Sequence, residues 1–297
     1  MDQQLNIAGL SGAPISFCLC ADDFALARGV SHGILEALAL SRVSATSVLT
    51  TSPRWPDGAK ALQAFRGQAD IGLHLNLTLG RPLGPMPQLA GSGQFPDVAK
   101  LVQASLKRAL PESEITQEIF RQLDRFITHF GSWPDFVDGH QHVHILPQIR
   151  AALLGCLTEL KLAGQIWIRS SGDRPLAILR RRREYQKALG IAWLGRGFAR
   201  QAAAKGFPVN DSFAGYSNFD PGADYAQAFR SYLRAPGRHH LIMCHPGFSD
   251  AELAAIDPVT ASREKELDFL LSPSFPALLA QKGARLTRLS QGLLRGP

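Results

Sequence analysis

No apolar run in this chain approaches the roughly 20 residues that a membrane-spanning helix needs, so nothing in it reads as a transmembrane segment. Basic charge is missing from the start. The first lysine or arginine is Arg28, so residues 1–14 lack the charged region of a secretory signal and read as an untargeted extension, with the cytoplasm as the expected compartment. Cysteine is scarce as well. Cys18, Cys20, Cys156 and Cys244 form no CxxC pair, which argues against a zinc ribbon or a dithiol redox motif; they are expected to be reduced, most of them packed as small hydrophobes. The glycine-rich dinucleotide fingerprint is absent after the first strand-like run, and this argues against a Rossmann enzyme. Internal repeats and low-complexity segments are also lacking.

What is present suits one large α/β unit. The 297 residues are 45% hydrophobic, enough for a sizeable core, and the length fits a single barrel of about 250 residues with insertions. The formal charge is +7, and the one dense basic run is Arg180–Arg183. Without aromatic interleaving it does not resemble a nucleic-acid module, and it reads as a solvated helix face rather than a site for an acidic substrate or lipid headgroup.

Along the chain, short β-rich runs alternate with helical periods. Strands are expected over 15–21, 45–51, 71–77, 136–145, 166–169, 191–194 and 240–244, with a last short one near 285–289. Helices are expected over 30–40, 55–65, 98–110, 115–130, 147–160, 175–189, 225–233, 261–271 and 275–281. Two stretches break the pattern: 81–96, rich in proline and glycine, reads as an ordered loop or lid over the strand ends, and 210–222 reads as loop. Strands separated by helices must pair in parallel, and about seven such units close more naturally into a barrel than into an open sheet. The expectation is a single (β/α) barrel over 15–297.

The chemistry concentrates in Asp138-Gly139-His140-Gln141-His142-Val143-His144. If 136–145 is a strand, its period of two puts Asp138, His140, His142 and His144 on one face. A polar face inside a barrel is costly unless paired, and imidazoles beside a carboxylate suit a divalent metal. The bland alternative is a solvated edge strand. Asp22-Asp23, His74, Arg169 and His245 also fall at the ends of apolar runs, where a barrel gathers its working residues. Taken singly, Asp22-Asp23 could be a helix cap and His74 a satisfied core histidine; their recurrence at strand ends favours a site.

The motifs Ala21-Asp22-Asp23-Phe24, Ile71-Gly72-Leu73-His74-Leu75, the histidine run and Met243-Cys244-His245-Pro246-Gly247, in this order, resemble the YdjC family of carbohydrate deacetylases, which includes chitooligosaccharide and hopanoid-associated members. The run Asp257-Pro258-Val259-Thr260 with its charged helix is similar to the family's C-terminal end. The resemblance implies a distorted (β/α) barrel, often a homodimer, that removes acetyl groups from N-acetylated sugars, free or lipid-linked, with one divalent metal. It assigns the metal to Asp23, His74 and His140, a choice that strand alternation leaves open among His140, His142 and His144. The latter two would stand behind the ligands. The chain departs from the family's common pattern at Ala25, where glycine is usual, and at Cys20, where asparagine is usual.

Amide hydrolysis needs an activated water, stabilisation of a tetrahedral oxyanion and a proton for the leaving amine. Asp22 is the expected base, Arg169 the group that orients it, and His245 the acid, with the 81–96 loop shaping the sugar subsites. Ligand softness leans to zinc, while the resemblance also allows magnesium. A barrel sugar isomerase would use similar ligands but more carboxylates, and a non-catalytic carbohydrate-binding protein would have no use for Asp22 and His245.

Overall fold

A computed structural model describes residues 14–294, so the extension expected over 1–14 lies, apart from Pro14, outside the described residues, as do 295–297. Strands β1 (Ile15–Phe24), β2 (Ala45–Val48), β3 (Asp70–Leu75), β4 (Phe136–Gly139), β5 (Trp167–Ile168), β6 (Ser212–Ala214), β7 (His240–Cys244) and β8 (Ala284–Leu286) are joined by helical crossovers. All pair in parallel. The order is β5-β4-β3-β2-β1-β7-β6, with β8 against the foot of β1. The seam between the edges β5 and β6 is bridged where Ile168 pairs with Val209 and where the Asn210 side chain bonds the backbone of both Ser170 and Ser212. A curled sheet of seven strands, closed by a side-chain amide in place of a full ladder, is a distorted barrel.

Strand alternation sorts the core into two parts. Phe17, Leu19, Ala21, Ile71, Leu73 and Leu75 face the surrounding helices. Cys18, Cys20, Phe136, Trp167, Phe213, Leu241 and Met243 fill the interior. Phe136 lies flat on Trp167 with centroids 4.2 Å apart, and a Cβ on the adjacent Gly72 would come within 2.4 Å of the Phe136 ring. The interior is thus plugged, and anything bound must sit above it at the strands' C-terminal ends.

The histidine run departs from the sequence reading. β4 stops at Gly139, and His140–Ile145 forms a tight 3-10 turn in which Gln141 (φ 52°) and His142 (φ 60°) are left-handed. Gly139 lets this happen, because a Cβ there would lie 2.8 Å from His144 Nδ1 and 3.0 Å from its backbone nitrogen. Alternation therefore fails beyond Asp138, and the three histidines point to different neighbours. The strand expected over 191–194 is the end of the helix Tyr185–Leu194, and the loop over 210–222 contains β6. The helices Phe198–Ala204 and Ala251–Ile256 were not foreseen; at seven and six residues they are too short for a helical period to register.

His240, at the start of β7, is fully buried, with Nδ1 2.8 Å from Ser212 Oγ and Nε2 2.9 Å from the Tyr232 carbonyl. Burial first, then the charge of Arg181, lowers its pKa to about 4. A histidine depressed in the folded chain is protonated first in the unfolded chain, so its contribution is present above pH 6.5 and is lost as pH falls towards 4. Urea unfolding should show about 2 kcal/mol less stability at pH 5 than at pH 7 from this residue alone. His240→Gln should flatten that pH dependence, and an unchanged slope would show that His240 is not its source.

Candidate active site

β1 delivers two consecutive carboxylates to one place. Continuing the inward series Cys18, Cys20, the alternation carries Asp22 into the mouth of the barrel; Asp23 should then point outward. It does not, because Asp23 is left-handed (φ 68°) and the pairing of β1 with β2 shifts register between Ala21 and Phe24. Ala25 is left-handed too (φ 72°), its N–H donating to Ser31 Oγ at 3.0 Å. Non-glycine residues in this region carry strain of order 1–3 kcal/mol, so the family's glycine would be unstrained at Ala25. Cys20 lies buried in the barrel interior, below the mouth.

Asp23, His74 and His140 converge so that one donor atom from each lies within 4.8 Å of the others. Asp23 Oδ1 is 3.3 Å from His74 Nε2 and 2.9 Å from His140 Nδ1. Register places Asp138 beside His74 across the β3–β4 ladder, and Asp138 Oδ1 lies 2.6 Å from His74 Nδ1. With Nδ1–H given to that carboxylate, Nε2 is the nitrogen that faces Asp23, and it is the one a cation would take once its proton is displaced. Burial would strip the proton from His74, but Asp138, then Asp23 and Asp22, raise its pKa to about 10. The field that holds a proton on His74 equally favours a divalent cation among these three donors, and two imidazoles with one carboxylate suit zinc-like ions.

Arg169 is fully buried one rung further round the sheet. Its NH1 and NH2 donate to Asp22 Oδ2 and Oδ1, both at 2.6 Å, and NH2 also lies 2.5 Å from Asp138 Oδ2 as an ion-pair contact. Burial alone would raise the Asp22 carboxyl, but Arg169 outweighs it and holds the group well below the usual carboxylate range. Asp22 is therefore ionised, accepting also from Ser47 Oγ at 3.3 Å. His142 is bonded to Ser171 Oγ at 3.0 Å, and His144 is buried with Nε2 2.9 Å from the Arg169 carbonyl. Burial lowers the pKa of both, that of His144 to about 4.

His245 follows β7, its N–H donating to Glu266 Oε2 at 2.6 Å, while its buried Nδ1 has no partner among the described residues. Burial first lowers the His245 pKa to about 4, against the opposing pull of Asp23 and Asp22. All the side chains named as ligands, together with Asp22 and His245, line one cavity of about 430 Å³; Arg169 stands behind Asp22. The floor is polar, whereas Leu79, Val102, Ile191, Leu194 and Val259 make aliphatic walls.

The 81–96 loop does not line this cavity. Leu83, Gln88 and Leu89 donate backbone N–H groups to Glu118 and Glu114 of the helix Glu112–Phe130, which draws the loop onto that helix; its flanks, Leu79 and Val98, reach the cavity instead. Sequence reasoning missed Arg263, whose NH2 lies 2.8 Å from both Asp23 Oδ2 and Asp257 Oδ2. Burial would raise the Asp23 carboxyl, but Arg263 together with His140 and His74 holds it well below the usual carboxylate range. The Asp257-Pro258-Val259-Thr260 motif just before it was the available signal.

A family model described as "YdjC-like protein" matches residues 16–281. A chitooligosaccharide deacetylase of Escherichia fergusonii is 29% identical over 270 residues, covering 90% of this chain and 94% of that protein. Among solved structures, a protein of Enterococcus faecalis V583 with a provisional assignment to cellobiose-phosphate cleavage superposes with a TM-score of 0.69 at 20% identity, covering 95% of this chain and all of that one.

Arg169 neutralises two buried carboxylates, and removing one partner of such a group typically costs about 3–5 kcal/mol. Arg169→Met should lower the melting temperature sharply at neutral pH. At pH near 4 the loss should shrink, because burial pushes the Asp22 carboxyl up once Arg169 no longer lowers it, and Asp22 can then take up a proton. A variant equally destabilised at both pH values would point to lost packing instead.

Proposed function

The chain belongs to the YdjC-like family, and from that premise we propose that it is a divalent-metal-dependent carbohydrate N-deacetylase: a hydrolase that splits the acetamide of an N-acetylated sugar into acetate and free amine. The observation that carries the reading is the meeting, on one cavity floor, of the Asp23–His74–His140 donor set with an Arg169-held carboxylate and an unpartnered imidazole nitrogen. The relative's activity on chitooligosaccharides supports the substrate class. Unit boundaries at 15–297, a cytoplasmic setting for the four unpaired thiols, and a homodimer belong to the same proposal.

Asp23, His74 and His140 would hold the cation, which supplies Lewis-acid polarisation of the acetyl oxygen and eases deprotonation of the attacking water. Asp138 fixes the tautomer of His74, and Arg263 occupies the second oxygen of Asp23, so that one oxygen faces the site. Asp22 accepts the proton as the water oxygen bonds to the acetyl carbon; Arg169 keeps it ionised and aimed. His245 begins neutral. The proton it delivers to nitrogen as the C–N bond breaks is thus one released by the water and relayed across the site. An isomerase would need further carboxylates at the metal, and Asp22 and Asp138 are already engaged by Arg169.

Elemental analysis should find one divalent ion per chain, with most of it lost in His74→Ala and in His140→Ala. Full occupancy in both variants would refute the ligand set. Asp138→Asn should weaken metal affinity by about 10- to 100-fold through its effect on His74.

Asp22→Asn should retain the metal and lose about 10²- to 10⁴-fold in turnover on an N-acetylated chitooligosaccharide, measured as free acetate. His245→Ala should lose roughly 10²-fold on the amide and much less on an activated acetyl ester, whose leaving group needs no proton. Equal losses on both would remove His245 from the acid role.

A further inference from the structure

The basic excess of this protein is confined to one place. Residues 174–200 hold eight lysines and arginines against the single acid Glu184, which accounts for the whole formal charge of +7 and leaves the other 24 basic and 24 acidic residues in balance. The same stretch is unusually apolar on its outside. Leu176 is 70% exposed, Trp193 62%, Leu179 47% and Tyr185 45%, half of the large exposed hydrophobics among the described residues. Leu176 and Leu179 stand three apart on the short helix Pro175–Arg181, and Tyr185 and Trp193 lie on the helix packed against it.

The arginine run is not the uniform solvated face that its sequence suggests. Arg181 turns inward to Asp173 at 2.7 Å, whereas Arg182, left-handed beyond the helix end, and Arg180 stay exposed with no acidic partner among the described residues. This segment also abuts the catalytic cavity. Lys187, Ile191 and Leu194 of the helix Tyr185–Leu194 line one wall of it.

We propose that the 174–200 segment is a docking face for an anionic lipid bilayer, which sets the mouth of the cavity at the membrane surface. Exposed leucines with a tryptophan and a tyrosine would enter the headgroup boundary, and the flanking arginines would meet anionic headgroups; this pairing of apolar and basic side chains is what an interfacial segment requires. A nucleic acid would match the charge but not the leucines. A second copy of this chain, joined symmetrically through the same face, would set like charge against like charge. Among the described residues no helix is long and apolar enough to cross a membrane, and the attachment proposed is a peripheral one. The proposal stands apart from the deacetylase reading, because it is tested by binding rather than by turnover.

The experiment is co-sedimentation of the full chain with vesicles of phosphatidylcholine, with and without roughly 30 mol% phosphatidylglycerol, at low and high salt. Binding is expected with the anionic vesicles, falling with salt, with a blue shift of tryptophan emission that Trp193→Phe abolishes. Arg180→Gln with Arg182→Gln should weaken binding by about 30-fold, and Leu176→Ser with Trp193→Ser should abolish it. Circular dichroism and melting temperature check that both double variants remain folded, and acetate release from a soluble chitooligosaccharide should be unchanged in them. The proposal is overturned by absence of binding to anionic vesicles, by equal binding to neutral ones, or by variants that bind as the wild type does. A dimer that dissociates in the double variants while vesicles are ignored would also overturn it, in favour of a self-association face.

Discussion

Arg169 is the group on which the floor of this site depends. One buried guanidinium spans Asp22 and Asp138, and through Asp138 it reaches His74. Without it, two carboxylates in the barrel mouth would lack their counter-charge, and burial would push the Asp22 carboxyl up towards its protonated form. Asp22 would then be unable to accept a proton, and Asp138 would hold His74 less firmly. The excess of negative charge that remains, shared with Asp23 and only partly offset by Arg263, is what makes the pocket floor suited to a cation.

Backbone strain does the rest of the positioning. Asp23 near the end of β1 and Gln141 with His142 in the turn after β4 adopt left-handed conformations, and each departure changes which side chain enters the mouth. In β1 it allows adjacent aspartates to face the same space. After β4 it turns a run of alternating histidines so that His140 meets Asp23, His142 meets Ser171, and His144 sits behind Arg169. Such bends persist because the surrounding barrel over-determines them. The plugged interior beneath leaves the site no freedom to sink.

The cavity is chemically lopsided. Charged groups make its floor and aliphatic side chains its walls, and one of those walls is the helix Tyr185–Leu194, whose outer surface carries the exposed Trp193 and whose flanks carry the arginines. A single helix thus joins the chemistry to the most amphipathic part of the surface. The loop over 81–96, conspicuous for its prolines and glycines, is instead pinned to Glu114 and Glu118. Composition marked it as ordered, but backbone hydrogen bonds to another helix decided where it went.

The parallel barrel, and β7 and the helix Ala261–Leu271 to the residue, were legible in the amino-acid order, because strand alternation and helical periods are local properties. So was the gathering of Asp22, Asp23, His74, His140 and His245 around one space, since a barrel brings its strand ends together. Tertiary structure alone decided where alternation stops. The break at Gly139 depends on its packing against His144, and no spacing rule records that contact. Tertiary structure also decided what completes the site: Arg263 holds Asp23 from 240 residues away, and Asp138 serves two partners, His74 of β3 and Arg169 just past β5. Periodicity tells which way a side chain starts out; only the closed barrel determines which charges it finds there.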